Sequence, residues 1–209
     1  MTMLYRLDAT ARQVADCFGA RAGEDPWAGG YVAPGSFAPV ITSGREYIAG
    51  PRQERQPRRM IPRLWGVPPL PSMQNAIPRG IAHVRNPDSP FWTGNLRNSE
   101  FRCLVPATSF MEWGKGRDSQ GKRRQHWFAI ADQPIFVFAG VWKDSEVPSF
   151  ALLACEPNAA LRAAGRDVMP VILPAGPKAW NLWLNGDWPQ ASRLLAPYSS
   201  SLMVERETD

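Results

Sequence analysis

Histidine and cysteine are scarce in this 209-residue chain, which has two of the first and three of the second. With only His83 and His126 as imidazoles, the sequence offers no structural zinc site, and nothing in it calls for a cofactor. Cys17, Cys103 and Cys155 are odd in number, far apart and form no CxxC pair. That excludes a disulfide framework and points to a reducing compartment. No apolar run approaches membrane-spanning length, and the opening "MTMLYRLDAT" lacks the apolar stretch of a signal peptide. A cytoplasmic protein with no membrane partner is expected. GxSxG, HExxH, P-loop and GxGxxG patterns are absent, which removes the commonest hydrolase and nucleotide-binding classes. Lysine is scarce too: only Lys115, Lys122, Lys143 and Lys178.

Arginine, proline and glycine are plentiful. The net charge is +5, and arginine carries most of the positive part. Arginine favours planar bidentate partners such as phosphate, so nucleic acid or another polyanion is the expected partner class. The length suits one domain over residues 1–209 and allows a core without disulfides. The 21 prolines and 17 glycines imply many short connections.

"MLYRL" reads as a first strand, and "DATARQVADCFG" as a helix with Asp8 as N-cap and Gly19 as stop. "FAPVIT" and "REYIAG" read as a hairpin turning at Ser43-Gly44. "PRQERQPRRMIPR" reads as a solvated loop unless it grips something, and the proline-punctuated stretch after it cannot stay regular for long. "FRCLVPATSFMEW", "HWFAIA", "IFVFAGVW", "SFALLACEP" and "MPVILP" read as core strands. "PNAALRAAG", "PKAWNLWLNG" and "WPQASRLLAP" read as helices, and "LMVERE" as a possible last strand. The sum is α+β, dominated by antiparallel strands, without the strand–helix alternation of a doubly wound sheet.

Two basic stretches stand out: Arg52, Arg55, Arg58, Arg59 and Arg63, then Lys115, Arg117, Lys122, Arg123 and Arg124. Trp65, Trp92, Trp113 and Trp127 could interleave with them. A basic groove with stacking aromatics holds single-stranded nucleic acid. Equally, the charges could be solubilising loops and the tryptophans core. Glu112 lies between Met111 and Trp113 at the end of an apolar run. It is either an edge-strand carboxylate facing water or a wedged group suited to acid–base work.

"LWGVPP", "FRCLVPATSFMEW", "FAGVW", "MPVILP" and "WNLWL" come in this order, and together they resemble the SRAP family of SOS-response-associated peptidases, or abasic-site processing proteins. The resemblance spans roughly residues 1–186. It implies a mainly antiparallel, barrel-like sheet core with short flanking helices, and a basic groove for single-stranded DNA that carries abasic sites. It also implies a mechanism. A cysteine at position 2, exposed by loss of the initiator Met, closes a thiazolidine on the abasic aldehyde, leaving a stable DNA–protein cross-link. A glutamate, an asparagine and a histidine assist.

Carried onto this chain, the glutamate is Glu112, but Thr2 replaces the cysteine, His83 the asparagine and Arg166 the histidine. Three of the four catalytic positions are changed. Arg85 keeps the phosphate-binding arginine, with Trp65, Trp113, Arg58, Arg59, Arg123 and Arg124 as further DNA-binding candidates. A threonine hydroxyl is a weak nucleophile without an activating base. The expected function is therefore single-stranded DNA binding with cross-linking lost or weakened. Two alternatives stand beside it: an active cross-linking enzyme or autopeptidase using Thr2 or another nucleophile, and a protein-interaction module on the same fold.

Overall fold

The computed structural model describes residues 4–45, 57–73, 80–117 and 121–206. In chain order the elements are β1 (Leu4–Leu7), α1 (Ala11–Phe18), β2 (Ala20–Arg21), β3 (Gly30–Val32), β4 (Phe37–Thr42), β5 (Arg58–Trp65), β6 (His83–Val84) and α2 (Pro90–Arg97). Then follow β7 (Arg102–Ala107), β8 (Ser109–Arg117), β9 (Arg123–Ile130), β10 (Phe136–Lys143), β11 (Ser149–Cys155), α3 (Ala159–Ala163), β12 (Met169–Pro170), α4 (Pro177–Asn185), α5 (Trp188–Ala191) and β13 (Met203–Arg206). The fold is mixed α+β, and its sheets are mostly antiparallel. No helix among the described residues is long and apolar enough to cross a membrane.

One sheet runs β13-β9-β8-β1-β3 and the other β12-β11-β10-β7-β4-β5-β2. In the second, β11 also pairs β5 in parallel, Ser149 against Leu64 and Phe150 against Trp65. That contact closes β5, β4, β7, β10 and β11 into a ring. All six residues of β7 are buried, because the strand is flanked by β10 and by β4. Pro39 of β4 faces Pro62 of β5. Neither has an N–H to give, so their pair must be a non-hydrogen-bonded one. The outer neighbours join β4 and β5 elsewhere, β7 at Ile41, β2 at Arg58–Arg59 and β11 at Leu64–Trp65. The ladder therefore loses nothing to the prolines.

Several expectations are corrected. The cap of α1 is Thr10, not Asp8. Thr10 and Gln13 form a reciprocal capping box, while Asp8 pairs with Arg6 at 2.7 Å. Gly19 does end the helix, with φ 58°. "FRCLVPATSFMEW" is two strands in two sheets. They part at Thr108, whose N–H donates to the Arg6 carbonyl at 2.7 Å. Half of the arginine-rich "loop" is β5, the partner of β4, while the expected partner strand over residues 45–50 lies, from residue 46 on, outside the described residues. The helix α2 was missed, although Ser89 as cap and Pro90 at its first turn are start signals. "MPVILP" contributes only a two-residue strand and a bridge from Ile172 to Phe138.

The helices pack on the ring through polar anchors. Trp183 Nε1 of α4 donates to the Cys103 carbonyl at 2.9 Å. The buried Arg102 guanidinium donates to the Gly186 carbonyl at the end of α4 and lies over the Trp183 ring. A cation at a helix C-terminus satisfies free carbonyls and matches the helix dipole.

Candidate functional site

Strand β8 sets the site by simple alternation. Phe110 faces Phe128 in the core, so Glu112 shares that face while Met111 and Trp113 take the other. Glu112 is fully buried, which rules out the edge-strand reading. A buried carboxylate needs a partner, and Arg166 supplies one. Its Nε lies 2.9 Å from Glu112 Oε2, and its Nη1 donates to the Trp113 carbonyl at 3.4 Å. The Nε–H is not well aligned on the oxygen, so the contact is an ion pair rather than a good hydrogen bond.

Arg166 arrives there because α3 stops at Ala163 and Gly165 turns the chain with φ 80°. The Lys115 stem lies across Gly165, in the space a Cβ would fill. The loop after α3 is thus clamped onto the end of β8. Across the ladder, His126 is the register partner of Glu112. Its Nδ1 meets Glu205 of β13 at 2.5 Å, and Gly114 leaves room for its ring. Neither Glu205 nor His126 carries a local signal of this pairing; it depends on β13 joining β9.

Basic groups line the same hairpin. Arg123 lies 5.5 Å above the Trp113 ring, and Arg124, Lys115 and Arg117 are exposed on the same β8–β9 hairpin. Arg85 follows β6 and stands 4.0 Å from Asp167, the neighbour of Arg166. So Arg166 joins the Glu112 carboxylate to the Trp113 backbone carbonyl, with Arg85 one residue removed through Asp167, while the Trp113 ring and Arg123 stand on the other face of β8.

Other sequence candidates lie elsewhere. Trp65 is fully buried, its Nε1 donating to the Ala82 carbonyl at 3.0 Å and its ring against Tyr5 and Phe150. It is a core side chain and offers no face to a base. Trp92 and Trp127 are also buried. Arg58 donates to the Phe18 carbonyl at 2.7 Å and to Asn181 Oδ1 at 2.8 Å, and lies over Trp180. It ties α1 to α4 rather than facing a ligand. Arg59 is half-buried on β5, in register with Thr42 and Arg21. His83 is buried on β6 beside Trp65, and burial, then the Arg85 charge, pushes its pKa down to about 3. It is a neutral imidazole with its Nε2 buried and without a hydrogen-bond partner. Thr2 lies outside the described residues. Among the described residues no cluster of three or more His, Cys, Asp or Glu could hold a metal ion.

The family model of the SOS response associated peptidases (SRAP) matches residues 1–207. The chain belongs to the SRAP family. No curated protein matches it. Among solved structures, a protein from Bacteroides thetaiotaomicron shares 19% identity at a TM-score of 0.73, covering 97% of this chain and 90% of that one. A protein from Bordetella bronchiseptica shares 21% at 0.73, covering 99% of each. A phage-related protein from the same organism shares 17% at 0.69, covering 98% of this chain and 92% of that one. These likenesses speak for the fold. Within this SRAP chain, the buried Glu112 is bound by Arg166.

Proposed function

We propose that this SRAP protein binds single-stranded DNA through the Trp113, Arg123, Arg124 and Arg85 surface, with abasic-site cross-linking lost or weakened. The observation that carries the reading is the buried Glu112–Arg166 pair. A guanidinium keeps its proton at neutral pH, so Arg166 cannot relay one as a histidine does. The site keeps its carboxylate and loses its proton carrier. No cysteine occurs in the sequence before Cys17, so position 2 offers no thiol to close a thiazolidine. The DNA-binding half rests on the exposed cations around a half-buried tryptophan stacked by Arg123.

The test uses single-stranded DNA with and without an abasic site. Binding is expected at low salt and falls steeply as salt rises, through counterion release. On a denaturing gel after heating, no adduct is expected without borohydride; borohydride could trap a Schiff base from the α-amine alone. Binding absent at low salt overturns the DNA reading, and a heat-stable adduct without reductant overturns the loss of chemistry.

A further inference from the structure

Beside the ion pair, across the Gly165–Val168 segment, lies an open cavity of about 530 Å³. That is within the range of small-ligand pockets, roughly 300–1,000 Å³. Its walls are apolar: Pro87, Val168, Leu195 and Pro197. Cys155 lies in it, with a thiol that burial and the Glu156 charge push up to about 12. Three charges stand at it: Arg85, Asp167 and Glu156.

Two carboxylates at the edge of a polyanion-binding surface repel the ligand unless they accept something from it. Arg85 and Asp167 do not neutralise each other well. They are 4.0 Å apart, with side chains 57% and 74% exposed, and such a pair holds neither partner firmly. A DNA phosphate offers Arg85 a better, bidentate partner. Asp167 is then released and faces the cavity with Glu156. What suits apolar walls and carboxylate acceptors together is a planar ring bearing an N–H₂ group.

Building on the single-stranded DNA reading, we infer that this cavity takes one unstacked nucleobase of the bound strand and selects bases with an exocyclic amine. The flanking phosphate sits on Arg85, and the amine donates to Asp167 or Glu156. Cytosine is accepted and thymine disfavoured, because thymine presents a carbonyl oxygen where cytosine presents the amine. A flipped base held by edge hydrogen bonds and apolar faces is a general solution for reading unpaired strands.

Cytosine against thymine is the clean comparison, since both are pyrimidines of similar size. Oligo(dC) and oligo(dT) of equal length are titrated onto the full chain at one low salt concentration. Oligo(dC) is expected to bind tighter by roughly ten-fold, the effect of one hydrogen bond to a charged group. The double variant Asp167→Asn, Glu156→Gln should collapse that ratio toward one even if removing two negative charges tightens both strands. Ala196→Trp, an exposed position at the cavity, fills the space and should collapse it too. Arg85→Ala should weaken both strands. Equal binding of the two strands by the unmodified protein overturns the base pocket and leaves the DNA reading standing. A ratio that survives both the carboxylate and the Trp variants also overturns it. Binding of neither strand overturns both.

Discussion

At the scale of single residues, the decisive contact is Arg166 on Glu112. Removing one partner of a buried pair typically costs about 3–5 kcal/mol. Arg166→Gln should therefore lower stability by about that much in urea unfolding, and Glu112→Gln, Arg166→Gln together should lose less than the sum. Additive losses would mean that the two side chains are energetically independent. His83 gives a second, pH-dependent expectation. Its folded pKa, about 3, lies below the ordinary value of 6.5. Between those values the unfolded chain binds a proton that the fold refuses. Stability is complete above about pH 6.5 and drains as pH falls toward 3, by up to about 1.4 kcal/mol per unit. His83→Asn removes the group and should flatten this acid limb in melting curves taken across that window; an unchanged slope would assign the acid sensitivity elsewhere. Glu112 was legible in the sequence as a misplaced carboxylate, and Arg85 only through the family resemblance. Trp65 misled because its strand is hidden in an arginine-rich segment, where composition says loop while Met60 and Trp65 are buried.

Elements in the second half of the chain were legible because their strands are buried on both faces and read as continuous apolar runs. The first half was harder: β5 carries Arg58, Arg59 and Arg63 in a sheet, and short β2, β3 and β6 take their state from partners rather than from propensity. Within β10, Gly140 pairs with Cys103 and Leu152, and a Cβ there would lie 2.7 Å from Val105 Cγ2 and 2.8 Å from Cys103 Sγ. Gly140→Ala should overpack the ring and cost about 1–3 kcal/mol, read from denaturant midpoints. A neutral result would mean that Val105 and Cys103 can both rotate away. This "FAG" glycine, met first as part of a resemblance, thus has a plain packing reason.

For the whole molecule, the surface charge should govern association. Arg85→Ala should weaken single-stranded DNA binding at all sequences and flatten the slope of log affinity against log salt by about 0.7, one phosphate contact on a single strand. An unchanged slope would remove Arg85 from the interface. The two sheets and their order were beyond sequence reading, since pairings between strands far apart in the chain leave no local signature. The joint between β5 and β11 is one such case, with Leu64 meeting Ser149. Its consequence lies in the order of events during synthesis. Until β11 has left the ribosome, β5 has only β4 and β2 for company, and the edge that later meets Ser149 and Phe150 stays open. An open strand edge is a template for wrong pairing, and contacts so distant in sequence form slowly. A nascent chain stalled before Ser149 should be far more prone to aggregate and to protease attack than one released whole.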